Sequence, residues 1–223
     1  MRFPDIYTGR AHHAGWSVIQ AATLLEEAKA RHSSSLLIYT ALELRLAIEQ
    51  LVFTIILVAK GKADQATLRD CRKQGGLFRV LKTVAPQYAL KCRFANVLAS
   101  FYPEIPQGAE WDVKTLQQYH AALSGLCHAQ LVIRGMGAQP EQWDEKVALL
   151  EQVHAFLAAG MRKDTAVLSF RGATAQAMKL WKSYSSGRIS LKKVKERFIL
   201  AKPLLVSRQL QPRPYPARAP RSA

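Results

Sequence analysis

The stretch "QQYHAALSGLCHAQLVIRG", residues 117–135, gathers side chains that could do chemistry: His120, Ser124, Cys127 and His128. An imidazole exchanges protons near neutrality and also ligates metals, so spacing has to decide between the two uses. On a helix, His120 and His128 are separated by about 12 Å of rise. Two ligands of one zinc ion each lie about 2.1 Å from it, so one straight helix cannot supply both. Cys127 and His128 are adjacent and point about 100° apart. No metal and no cofactor is expected here. His120, Ser124 and His128 instead climb at successive i, i+4 steps along the border of an apolar face made by Leu116, Tyr119, Leu123, Leu126, Cys127 and Ile133. That spacing suits a packing rim as well as an acid–base pair. Cys127 reads as a small buried apolar residue. No acid in this helix is placed to orient an imidazole, so the orienting carboxylate would have to come from another helix, with Glu43 as the candidate.

Glu43 lies in the segment expected to position the rest, a helix over 34–60. Its apolar residues, from Leu36 to Val58, cover most directions around the axis, and a helix apolar nearly all round is a buried one. Tyr39, Glu43, Gln50 and Thr54 form a thin polar stripe on it. Two readings of the stripe stand: hydrogen bonds to neighbouring helices that fix register, or the lining of a polar pocket. Arg45 and Glu49, four apart on another side, can pair.

The remaining segments read as helical too. Long stretches rich in Ala, Leu, Gln, Glu and Lys, separated by Gly and Pro, predict helices near 14–31, 34–60, 64–73, 76–84, 87–101, 112–134, 140–161, 164–184 and 190–202. Ser33 to Ser35, Asp64 and Asp112 suit N-caps, Gly61 a C-terminal stop, and Pro140 a first helical residue. The expected class is all-α: a bundle over 1–160, a basic helical extension over 161–204, and a disordered Pro- and Arg-rich tail over 205–223.

Charge is distributed unevenly. The chain carries 32 Lys and Arg against 16 acids, a formal +16. Residues 161–223 hold 15 of the bases and only Asp164 and Glu196 as acids. Such a stretch favours polyanions, nucleic acid above all. "GRISLKKVKERFILAKPLL" reads as an amphipathic basic helix capped by Ser190, with Lys192, Lys193 and Arg197 pointing away from its apolar strip and Lys195 bordering it. Upstream, Arg171, Lys179, Lys182 and Arg188 punctuate a helix that also offers Phe170, Trp181 and Tyr184 for stacking. These eight cations are the candidate nucleic-acid contacts. A solvated face and an anionic membrane surface are the competing readings.

Three cysteines without a CxxC pair give no disulfide framework. The start "MRFPDIYTGRAHHAGW" lacks the apolar region of a secretory signal, and the most apolar run, "LVFTIILVA", is too short for a bilayer of roughly 30 Å. A cytoplasmic protein with no integral membrane segment is expected.

The order of a helix "IYTALELRLAIEQLVF", shorter helices and then "YHAALSGLCHAQ" resembles the HEPN-like helical domains of prokaryotic defence and toxin systems, over about residues 14–135. Tyr119, Leu123, Ser124 and His128 resemble a Y-x3-L-S-x3-H pattern near the active helix of some members. The resemblance implies a four- or five-helix unit, often a homodimer, that binds RNA or cleaves it without metal. It gives His128 or His120 the acid–base role, with Arg45 or Arg134 steadying the phosphate. The family's signature is an arginine, four to six residues, then histidine. Here no histidine has that arginine, and the nearest approach is Lys114, with five residues between it and His120. Lysine can hold a phosphate but lacks the bidentate fork. Three functions follow as expectations: a nucleic-acid-associated protein with RNA favoured over DNA, a metal-independent ribonuclease, or a dimerising module without enzymatic activity.

Overall fold

Apolar residues at helical spacing, broken by Gly, Pro and capping residues, fold as eight α-helices in the computed structural model, which describes residues 14–61, 64–101, 110–127, 140–162 and 175–201. They are α1 (Ala14–Arg31), α2 (Ser34–Lys60), α3 (Gln65–Arg72), α4 (Gly76–Ala99), α5 (Val113–Cys127), α6 (Pro140–Arg162), α7 (Ala175–Ser185) and α8 (Leu191–Ala201). The described residues contain no strand, so the fold is all-α. No helix among them is long and apolar enough to cross a membrane. The chain divides into two compact units, 1–171 and 172–223. The expected tail, 205–223, and the histidine His128 lie outside the described residues.

In the first unit α2 is the hub, with α1, α4, α5 and α6 packed against it. Leu44, Ala47, Ile48, Val52 and Ile56 of α2 are fully enclosed, together with Leu81 of α4, Leu116 and Leu123 of α5, and Leu150, Val153 and Leu157 of α6. Burying that many large aliphatic side chains, at about 1.5–3 kcal/mol each, is what holds the bundle. The burial is one-sided, however. Tyr39, Leu42 and Leu46, on the outer side of the N-terminal half of α2, are 57%, 39% and 37% exposed. The expectation of a helix buried all round therefore fails for that half, because no described helix of the first unit covers its outer side.

Helix ends follow local chemistry. Asp64 accepts from the Thr67 amide at 2.7 Å to start α3, and Asp112 accepts from the Lys114 amide at 3.0 Å and the Thr115 hydroxyl at 2.6 Å to start α5. Ser33 takes the N-cap place of α2 but its side chain makes no capping bond. Gly61 closes α2 in the left-handed conformation, φ 70°, a geometry that suits glycine. Lys91 of α4 then completes that end, its Nζ donating to the Val58 and Ala59 carbonyls at 2.6 and 2.8 Å.

The expected break between helices 76–84 and 87–101 does not occur. Pro86 sits inside the continuous α4 and removes the amide that would have bonded the Lys82 carbonyl. The helix persists because Leu81, Val84, Tyr88 and Cys92, on both sides of the proline, are buried in the same core. Packing along the whole face outweighs the local loss, which is about 3 kcal/mol.

In the second unit α7 and α8 form a helical hairpin. Leaving α7, the Gly187 amide reaches the Tyr184 carbonyl and the Arg188 amide the Ser183 carbonyl, both at 2.9 Å, with Gly187 at φ 74°. This is the Schellman arrangement, which needs a left-handed residue where the glycine stands. Ala177, Leu180, Trp181 and Tyr184 of α7 and Val194 and Phe198 of α8 are buried.

Candidate functional site

Two places hold the residues that could act. The first is the seam between α2 and α5. Arg45 and Glu49 are one turn apart on α2, and Arg45 Nε donates to Glu49 Oε1 at 3.0 Å. The same oxygen lies 2.9 Å from His120 Nε2 on α5. Behind the imidazole, the Phe78 ring of α4 stands 4.7 Å away, tilted by 53°. Ser124, one turn along α5, donates its hydroxyl to the His120 carbonyl at 2.7 Å, so it does not reach the imidazole through that bond. His120 keeps 20% of its side-chain surface exposed, and Glu49 and Arg45 about a third, 33% and 35%.

The electrostatics follow from this contact. The His120 hydrogen bond holds the Glu49 carboxyl below the usual range. Partial burial opposes that shift, and the Arg45 charge reinforces it. Cys127 lies close enough to feel the Arg45 charge, yet burial dominates and pushes its thiol up, away from a reactive thiolate. Burial raises Cys71 and Cys92 in the same way.

The predicted residues fall as follows. His120 and Arg45 come together, but the carboxylate that meets the imidazole is Glu49, which takes the place expected of Glu43. Glu43 Oε2 and Gln50 Oε1 are buried without a hydrogen-bond partner among the described residues. The sequence did contain a signal, the Arg45–Glu49 pair at i, i+4. It did not say which side of α2 faces α5. His128 and Arg134 lie outside the described residues. Among the described residues no group of three or more His, Cys, Asp or Glu side chains could hold a metal ion.

The second place is the α7–α8 hairpin. Lys179, Lys182, Arg188, Lys192, Lys193, Lys195 and Arg197 are all exposed, while Ala177, Leu180, Trp181, Tyr184, Val194 and Phe198 turn inward and Ile199 stays exposed. Among the described residues, Lys193 pairs with Glu196 at 3.5 Å, and Arg188 Nε donates to the Ser186 hydroxyl at 2.9 Å. The aromatic residues expected to stack on bases do something else: Trp181 and Tyr184 are buried, their rings 6.2 Å apart. Arg171 and Phe170 lie outside the described residues. Elsewhere, a groove of about 710 Å³ runs beside Pro86, Ala89, Trp111 and Val113 and holds none of these candidates.

No protein-family model, no curated protein and no solved structure matches the chain.

Proposed function

We propose that the chain is a nucleic-acid-associated protein, RNA favoured over DNA, that engages phosphates through its C-terminal unit. The observation that carries this reading is the exposure of seven cations on one small helical hairpin whose described residues include a single acid, Glu196. Lys and Arg on a rigid scaffold bind phosphate independently of sequence, and the binding weakens as salt displaces the gain from released counterions. The preference for RNA rests on the HEPN-like resemblance of the bundle, which also suggests a cytoplasmic role in a prokaryotic defence or mobile-element system. The experiment is a titration of labelled single-stranded RNA and of DNA with the full chain in EDTA across a salt series. Tight, salt-sensitive binding without cleavage is the expected result. No binding at low salt would overturn the reading.

A second reading is a metal-independent ribonuclease, and the carboxylate–imidazole contact of Glu49 with His120 favours it. A general base beside an arginine is what metal-free phosphodiester chemistry needs. Cleavage in EDTA that His120→Ala or His128→Ala abolishes supports it, and intact RNA after prolonged incubation removes it. The homodimer that the resemblance implies has a surface available in the exposed Tyr39, Leu42 and Leu46 of α2.

A further inference from the structure

Glu49 Oε1 is the shared anchor of two groups, and the direction of one of its hydrogen bonds has a chemical consequence. An ionised carboxylate has no hydrogen to give, so it can only accept. The depressed titration of Glu49 keeps it ionised at neutral pH. The hydrogen in the 2.9 Å contact therefore sits on His120 Nε2. A neutral imidazole carries one N–H, so its lone pair is on Nδ1. No hydrogen bond from a described residue reaches that nitrogen.

We propose that Glu49 is a positioning residue: it holds His120 as the Nε2–H tautomer and makes Nδ1 the nitrogen that exchanges a proton with a ligand, while Arg45, anchored through Nε, turns its terminal amines toward an anionic oxygen. The identity of the ligand, a single-stranded RNA phosphodiester, rests on the ribonuclease reading. The tautomer does not. A proton taken up at Nδ1 leaves an imidazolium whose charge lies against the Glu49 carboxylate, so the charge that forms during proton transfer is already countered. The groups around the imidazole are Glu49 and Arg45 from α2, the uncharged Phe78 from α4 and Ser124 from its own helix. Phe78 limits the orientations open to the ring without offering it a competing acceptor.

The test is a long-range proton–nitrogen correlation spectrum of the full chain labelled with ¹⁵N-histidine, at neutral pH, with His120 assigned by His120→Gln. The expected spectrum shows a protonated Nε2 and a bare Nδ1. Arg45→Gln should keep that pattern, and Glu49→Ala should convert it to averaged signals from two exchanging tautomers. A wild-type spectrum with hydrogen on Nδ1, alone or on both nitrogens, overturns the assignment without recourse to any variant. The same proteins are then incubated with single-stranded RNA in EDTA. Glu49→Gln should lower kcat by about 10²-fold or more with KM little changed, since it loosens a base without removing a binding contact. A bare Nδ1 in a wild-type chain that leaves RNA intact overturns the ribonuclease reading and supports the positioning role.

Discussion

The ring of Trp111 stands where a side chain at position 160 would have to go: a Cβ on Gly160 would fall 2.1 Å from Trp111 Cη2. The glycine lets the segment before α5 press against α6, where Trp111 meets Phe156 edge-on at 5.6 Å. Gly160→Ala gains about 1 kcal/mol of helix propensity but forces the indole to move, and overpacking of this kind costs about 1–3 kcal/mol. Net destabilisation is expected in urea unfolding, with a changed tryptophan signal in near-ultraviolet circular dichroism. A more stable variant would show that the indole yields freely.

Lys91→Met should also destabilise the bundle. It keeps the length of the side chain but removes two donors and a positive charge from the C-terminal end of α2. Loss of about 1–3 kcal/mol is expected from carbonyls left without their partner, read as a lower denaturant midpoint at unchanged slope.

Asp112 ties pH to the start of α5. Its hydrogen bond from Thr115 holds its carboxyl below the ordinary 3.8, with the Lys114 and Thr115 amides helping. A carboxyl depressed in the folded state stabilises it above the unfolded value, and that contribution fades as pH falls from 3.8 through the lower folded value. Amide exchange at Lys114 should therefore accelerate, beyond its intrinsic pH dependence, across that acidic window. Asp112→Ala should show the faster exchange at neutral pH, with a loss of about 1 kcal/mol.

If the α7–α8 hairpin grips phosphate, replacing Lys192, Lys193 and Arg197 with glutamine should weaken RNA and DNA binding to a similar degree. It should flatten the salt dependence by about one unit of log–log slope for each phosphate-binding cation removed. An unchanged slope would move the binding surface elsewhere.

Self-association through the outer side of α2 predicts a sedimentation profile that depends on concentration in the wild type. Leu46→Glu, at an already exposed position, should shift the protein to monomer while leaving its helical circular dichroism intact. Profiles that coincide for the two proteins would exclude this face.

The helices were legible where local signals and packing agree. Asp64 and Asp112 cap where capping chemistry places them, and α1 and α2 run between the expected residues. Pro86 misled because a proline is a local signal, whereas the buried residues on both sides of it act through tertiary contact. That Glu49 rather than Glu43 meets His120 has a related reason. Six residues place the two carboxylates about 120° apart around one helix, so at most one can meet α5. Periodicity gives the angle between them but not the side from which the neighbour approaches.

The bond that His120 of α5 makes to Glu49 of α2 also marks how the two helices align along their seam. A shift of one turn, about 5.4 Å, would bring Leu116 or Ser124 opposite Glu49 in place of the imidazole. Leucine offers no polar atom, and the serine hydroxyl is already turned to the His120 carbonyl. The seam therefore has one alignment in which its carboxylate meets a donor from α5 as well as Arg45 of its own helix, and a single oxygen atom works as the notch that marks it.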